Sequence, residues 1–155
     1  MLIPNIPNNS VTDEIREIVE IAERLDGVKI FVFNKPATEE ELQFTEHEIG
    51  CTLPVEIRDY YKFSNGITLN GFTADFLCLK EIVNLFSAKK SPDFPQNYII
   101  VAEIIGDGEV LCFSKESNNF VRYFNGEKLT FNTFKEFLNS IIIFIKELND
   151  DYFDK

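Results

Sequence analysis

The chain has 155 residues, of which 45% are hydrophobic, and its 15 basic and 26 acidic side chains give a formal charge of −11. This length is enough for one domain with a core of its own. The charge argues against anionic partners, namely nucleic acids and membrane surfaces, and favours a basic protein partner. Simple solubility explains the same charge equally well.

Cysteine usage and the lengths of apolar runs indicate a cytoplasmic protein without a membrane segment. Cys51, Cys78 and Cys112 are odd in number, far apart and not arranged as C-x-x-C. They predict reduced thiols, and neither a disulfide framework nor a zinc site. No basic and apolar leader opens the sequence, and the longest apolar run, Ile141 to Ile145, is too short to span a bilayer. We expect no metal, no cofactor and no membrane contact.

The first elements in chain order are a helix and a strand. Residues 1–9 are rich in Pro and Asn and are expected to be loose. Ser10 suits the start of a helix that closes at Asp26-Gly27, and Val28 to Phe33 is β-branched and aromatic, as in a strand. The helix has an apolar face and an acidic face, and the acidic face is expected in solvent. The apolar face is Val11, Ile15, Ile18, Val19, Ala22 and Leu25, and the acidic face is Asp13, Glu14, Glu17, Glu20 and Glu23.

Two short helices joined by a tight elbow are predicted from Thr38 onward. Thr38 and Glu41 form a T-x-x-E capping box at the start of the first helix. Gly50 suits the left-handed residue that ends this helix. Pro54 suits the first position of the second helix, because the N–H that it lacks would have no partner there. Ser64-Asn65-Gly66 stops the second helix.

A β-meander is predicted for the second half of the chain. A short strand at 75–79 and one or two helical turns at 80–86 precede a polar surface loop at 87–96, which contains two prolines. Four strands then alternate with turns such as Gly106-Asp107-Gly108 and Asn125-Gly126. These strands are 98–105, 109–114, 120–124 and 128–131.

The chain ends in an apolar helix and an acidic tail, residues 150–155. Asn132 or Thr133 caps the helix, and Thr133 with Glu136 forms a second capping box. The predicted fold is a single α+β domain over 1–155, with a mostly antiparallel sheet of about five or six strands packed with N-terminal, central and C-terminal helices. The buried face of the last helix is Phe134, Phe137, Leu138, Ile141, Ile142, Ile145 and Leu148.

The elbow also carries a family signature, E-x-x-(I/L)-G-x-x-L-P-x-x-(Y/I) followed by N-G. It stands here as Glu46, Ile49, Gly50, Leu53, Pro54, Ile57 and Asn65-Gly66. The chain resembles the SUKH superfamily, the Smi/Knr type of domain, over roughly Thr38 to Leu148. An L-C-F strand, a V-x-Y-F strand and an F-x-x-F-L helix extend the match, whereas the G-D-G turn has fewer acidic and glycine residues than such families often carry. We expect the signature residues Glu46, Ile49, Gly50, Leu53, Pro54, Asn65 and Gly66 to act in folding.

No constellation for catalysis is recognisable, and we expect no enzymatic activity. His47 is the only histidine, and its helical position predicts exposure to solvent without an acid–base partner. Gly106-Asp107-Gly108 is not followed by a helix, as a phosphate-binding loop would be, and a hairpin turn explains it.

The resemblance implies an immunity protein, because most members of the superfamily neutralise toxins delivered between bacteria. We expect a toxin with a basic surface, such as a nuclease, to bind a monomer or weak homodimer. The alternative is an intracellular scaffold or regulatory module, as in the fungal branch that controls cell-wall synthesis. Exposed aromatics rimmed by carboxylates suit a basic partner, and packing against the N-terminus or a second copy explains them equally well. The candidate partner-binding residues are Asp75, Asp93, Asp107, Glu109, Phe144, Tyr152 and Phe153, and the tail from Asp150 to Asp154 is a second candidate patch.

Overall fold

A seven-stranded antiparallel sheet and five α-helices make up the described part of the chain. The computed structural model describes residues 1–69, 74–88, 92–104, 108–124 and 126–153. The helices are α1 (Thr12–Arg24), α2 (Glu39–Ile49), α3 (Val55–Phe63), α4 (Leu79–Ser87) and α5 (Phe134–Leu148). The strands are β1 (Phe31–Phe33), β2 (Ile67–Leu69), β3 (Ala74–Phe76), β4 (Tyr98–Ile104), β5 (Glu109–Ser114), β6 (Phe120–Phe124) and β7 (Glu127–Phe131). A 3₁₀ turn, Asp150–Tyr152, follows α5.

The strands lie in the sheet in the order in which they occur in the sequence, and every neighbouring pair is antiparallel. The predicted α+β fold is therefore confirmed. The sheet has one strand more than the upper end of the predicted range, because β2 was not recognised. β2 has only three residues, too few for an alternating pattern, and its pairing with β1 is a long-range contact.

The core lies between one face of the sheet and the helices. Helix α5 packs against β7, and α1 and α3 pack against α5. Aromatic rings fill much of this space: the Phe76 ring lies 4.9 Å from Tyr60 and 6.0 Å from both Phe134 and Phe137, measured between centroids. Such tilted and edge-to-face contacts suit aromatic quadrupoles and explain how a chain with 16 Phe and no Trp builds its core.

Helix α1 begins later than the sequence predicts. Its first residue is Thr12, and the Ser10 hydroxyl donates instead to the Asp59 carboxylate of α3 at 2.6 Å. The predicted apolar face is buried, but Glu14 of the acidic face is only 7% exposed and lies 4.0 Å from the Lys135 ammonium. The N-terminal segment also contacts the body of the domain, since Ile3 and Ile6 pack against the core.

The elbow forms as predicted except at one residue. The capping box of Thr38 and Glu41 is present, and Gly50 ends α2 with φ +75°. Pro54 does not occupy the first helical position; it precedes it as the capping residue, with extended ψ of 147°. Its carbonyl still accepts the Arg58 N–H and so opens α3.

The ends of the last helix differ in detail from the prediction. Thr133 caps α5 by accepting the Glu136 N–H, but the Glu136 carboxylate returns to the N–H of Asn132, so the second capping box is incomplete. Leu148, expected on the buried face, is 51% exposed. None of the helices within the described ranges is long and apolar enough to cross a membrane.

Candidate partner-binding surface

The sheet has a second face, turned away from α5, which we call the outer face. Strand register places one row of residues across it, because residues paired directly across antiparallel strands share a face. Asp75 pairs with Glu103, Glu103 with Val110, Val110 with Tyr123, and Tyr123 with Lys128. The row therefore carries two carboxylates at one end and a lysine at the other.

Three aromatic rings meet over the outer face. Phe94, from the loop before β4, lies 6.2 Å from Tyr98 and 5.2 Å from Tyr123, and the two tyrosine rings are 6.1 Å apart. The Tyr123 hydroxyl also donates to the Asp93 carbonyl at 3.3 Å, which ties the loop to β6. A cavity of about 720 Å³ opens beside these rings and is lined by Asp93, Phe94, Ile100, Gly108, Val110, Tyr123 and Gly126.

Asp75 and Glu103 stand directly opposite each other on adjacent strands of this face. One Asp75 oxygen accepts the Leu69 N–H at 3.2 Å, whereas the Glu103 side chain is exposed and its carboxylate makes no hydrogen bond or ion pair with another described residue. Like charges at directly opposed positions destabilise a sheet. The pair therefore carries a local cost, which the hydrogen bond from Leu69 to Asp75 offsets in part.

A cation already lies against the aromatic rings. The Lys128 ammonium is 5.3 Å from the centroid of the Tyr98 ring. This distance is within the range of cation–π attraction. The outer face thus accommodates a positive group next to its aromatic cluster.

The acidic residues predicted to bind a partner do not all share this face. Asp75 lies on it and Asp93 lines its cavity. Glu109 lies on the opposite face, where its carboxylate binds Arg122 Nε at 2.7 Å. Asp107 lies outside the described residues.

The predicted aromatic contacts lie in two further places. Phe144 is half-buried on α5 and lines a groove of about 230 Å³ with Arg122. Phe153 packs against the core, and the Arg24 guanidinium lies 5.2 Å above its ring. Tyr152 is 45% exposed beside it, and the end of the predicted tail patch, Asp154, lies outside the described residues.

The signature residue Glu46 holds the elbow together. Its carboxylate accepts the Leu53 N–H at 2.7 Å and two bonds from Arg58, at 3.1 and 3.2 Å. Arg58 reaches Glu39 as well, at 2.6 Å, and this hydrogen bond is the main reason why the pKa of Glu39 is lowered. Ile49 and Leu53 are buried on either side of Gly50.

Asn65 and Gly66 join the elbow to the next elements. The Asn65 side chain accepts the Leu79 N–H at 2.8 Å and donates to Glu41 at 3.3 Å, so it links α4 to α2. Gly66 has φ +97°, and a Cβ there would lie 3.0 Å from both the Cys78 nitrogen and the Phe76 oxygen. Both residues therefore contact the body of the fold.

A second concave feature lies between α2 and α4. This groove has a volume of about 520 Å³ and an apolar floor that includes Leu79 and Val83, with Phe44 at its edge 61% exposed. Its remaining lining residues include acids and a lysine: Glu40, Glu41, Thr45, Lys80 and Asn84. Its lining differs from the outer face in having no cluster of aromatic rings, since Phe44 is its one aromatic residue among those described.

The remaining groups of interest are two buried tyrosines, two cysteine thiols and the histidine. Burial raises the pKa of the Tyr60 and Tyr61 hydroxyls, and it also raises the pKa of the Cys51 and Cys78 thiols, which disfavours thiolate chemistry. His47 is exposed, as predicted. Within the described ranges, no group of three or more His, Cys, Asp or Glu is arranged to hold a metal ion.

The outer face includes several residues that sequence reasoning missed, namely Phe94, Tyr98, Glu103, Tyr123 and Lys128. The hairpin at Asn125-Gly126 was predicted, and its register sets Tyr123 opposite Lys128. The pairing of Asp75 with Glu103 had no such signal, because α4 and the loop after it separate the two strands in sequence.

Comparison with known proteins gives one family. The model of the SMI1 / KNR4 family (SUKH-1) matches residues 36–140, which is more than half of the chain. The matched region includes α2 to α4 and strands β2 to β7, and it ends within α5. A search of curated proteins finds no match. The chain belongs to the SMI1 / KNR4 family (SUKH-1).

Proposed function

We propose that this chain is a non-enzymatic immunity protein that binds and neutralises a bacterial toxin with a basic surface, such as a nuclease. The observation that carries the proposal is the opposed pair of Asp75 and Glu103 on an aromatic sheet face. A like-charge pair lowers stability in the free protein, and a basic partner would convert that cost into binding free energy. The formal charge of −11 also attracts a basic partner, and it does so over longer distances.

The proposal includes a cytoplasmic site of action. Cys51, Cys78 and Cys112 form no disulfide with one another, and reduced cysteines persist in a reducing compartment. A toxin delivered into the cell would be met there. An acidic inhibitor associates quickly with a basic active site, because the opposite fields steer the encounter.

The test is co-expression with each toxin domain encoded in the same strain. We expect one toxin to co-purify with the tagged chain and to stop killing cells when the chain is present. A catalytic antagonist would protect at sub-stoichiometric amounts, whereas a blocking inhibitor protects only when it is at least equimolar with the toxin. The proposal would be contradicted if the chain bound none of the strain's toxins, or if it protected cells against none of them.

A further inference from the structure

We infer that the outer face binds an arginine-bearing segment of the partner, with one guanidinium stacked against the aromatic cluster of Phe94, Tyr98 and Tyr123. A second guanidinium would lie between the carboxylates of Asp75 and Glu103. This inference rests on the proposed function and adds the chemistry of the partner's contacting side chains.

The aromatic cluster supplies the first contact. Its three rings pack edge to face at centroid distances of 5.2 to 6.2 Å, and the adjoining cavity of about 720 Å³, which Phe94 and Tyr123 line, is ample for a side chain. Lys128 already places its ammonium 5.3 Å from the Tyr98 ring, so the chain's own lysine marks where a cation is attracted. A partner cation would take this place, and Lys128 would move into solvent.

The carboxylate pair supplies the second contact. Directly opposed side chains on antiparallel strands have Cβ atoms about 5 Å apart. Asp75 and Glu103 therefore place two carboxylates side by side on one face, and one planar guanidinium with five donors can bind Glu103 and the Asp75 oxygen that Leu69 does not occupy. Arginine suits both contacts better than lysine, because its flat group stacks on rings and forms forked hydrogen bonds.

An NMR titration of the full chain with a hexa-arginine peptide tests the inference. We expect the side-chain signals of Tyr98, Tyr123 and Lys128 to shift, hexa-lysine to bind more weakly, and hexa-citrulline, which is similar in shape but neutral, not to bind. Equal binding of hexa-citrulline would overturn the inference. Shifts centred on the acidic face of α1, or outer-face broadening caused by self-association alone, would overturn it as well.

Matched variants separate local contacts from net charge. Glu103→Gln should weaken hexa-arginine binding at least about fivefold, whereas Glu20→Gln on α1, with the same net charge, should leave it unchanged. Lys128→Gln should tighten binding roughly two- to fivefold, because it removes a competing cation from the Tyr98 ring. Lys146→Gln is its control, since that lysine lies near Glu17 on the α1 side. An equal gain in hexa-arginine affinity in both lysine variants would contradict the displacement of Lys128 from the Tyr98 ring.

The toxin itself distinguishes this inference from the proposed function. A toxin that is neutralised equally well by the wild type and by Glu103→Gln would overturn the inference and leave the immunity function standing. Specific binding of hexa-arginine at the outer face, without binding of any toxin from the strain, would support the surface chemistry and contradict the immunity function.

Discussion

The Asn65 side-chain oxygen accepts a hydrogen bond from the Leu79 N–H at 2.8 Å, which gives the first turn of α4 a partner from another part of the chain. The same side chain donates to Glu41 of α2. The N-G pair of the family signature thus fastens α4 to the elbow. It does so through an amide group that offers both a donor and an acceptor.

Replacement of this amide should destabilise the fold. We expect Asn65→Ala to lower the free energy of unfolding by about 1–2 kcal/mol, because a helix N-terminus loses its cap and Glu41 loses a donor. Denaturant unfolding measures the change. The control is Asn97→Ala, since Asn97 is exposed, and its effect should stay within about 0.5 kcal/mol. Equal stability of the two variants would contradict the assigned role.

Gly66 should tolerate a side chain less well than a glycine of similar backbone conformation. Gly66 and Gly27 have φ of +97° and +81°, but only at Gly66 would a Cβ meet backbone atoms, at 3.0 Å. We expect Gly27→Ala to cost about 1 kcal/mol from backbone strain and Gly66→Ala at least about 1 kcal/mol more. Thermal unfolding of both variants checks this. Similar costs would show that the close approach is unimportant.

The Glu39–Arg58 contact should make stability depend on pH. Arg58 lowers the pKa of Glu39 in the folded state, so the ionised carboxylate stabilises the fold above its unfolded pKa of about 4.5. This contribution is lost as the pH falls through the lowered pKa. The difference in free energy of unfolding between wild type and Glu39→Gln should therefore be largest near pH 7 and should vanish at strongly acidic pH. Urea unfolding at a series of pH values measures this difference. The corresponding difference for Glu40→Gln, at the next residue of α2, should be smaller and should vary less with pH.

The sequence predicted best those interactions whose partners are close together along the chain. The Thr38–Glu41 capping box, the Gly50 helix end and the Asn125-Gly126 hairpin are local, and their residues are close in sequence. The bond from Glu46 to the Leu53 N–H is also short in range; the family signature singles out Glu46, but no local pattern predicts which N–H its carboxylate accepts. The pairing of Asp75 with Glu103 depends on strand order and register, which no local pattern specifies.

Charge reversal at Glu103 should stabilise the free protein. Glu103→Lys replaces a like-charge pair with an opposite-charge pair across from Asp75, and we expect a gain of about 0.2–1 kcal/mol in the free energy of unfolding. Urea unfolding at low salt measures it. Asp75→Asn is unsuitable as a comparison, because Asp75 also accepts the Leu69 N–H. A loss of stability in Glu103→Lys would show that the carboxylate is needed by the fold itself.

The association rate constant with the cognate toxin, measured by stopped flow against ionic strength, tests whether the outer face recognises a basic toxin. We expect this rate constant to fall steeply with added salt, because exposed charges are screened beyond about 8–10 Å at physiological ionic strength. We also expect Glu103→Lys to slow association about tenfold or more, whereas Glu20→Lys on α1, with the same change in net charge, should slow it less than about twofold. A rate that is indifferent to salt, or that falls equally in both variants, would contradict recognition of a basic toxin by the outer face.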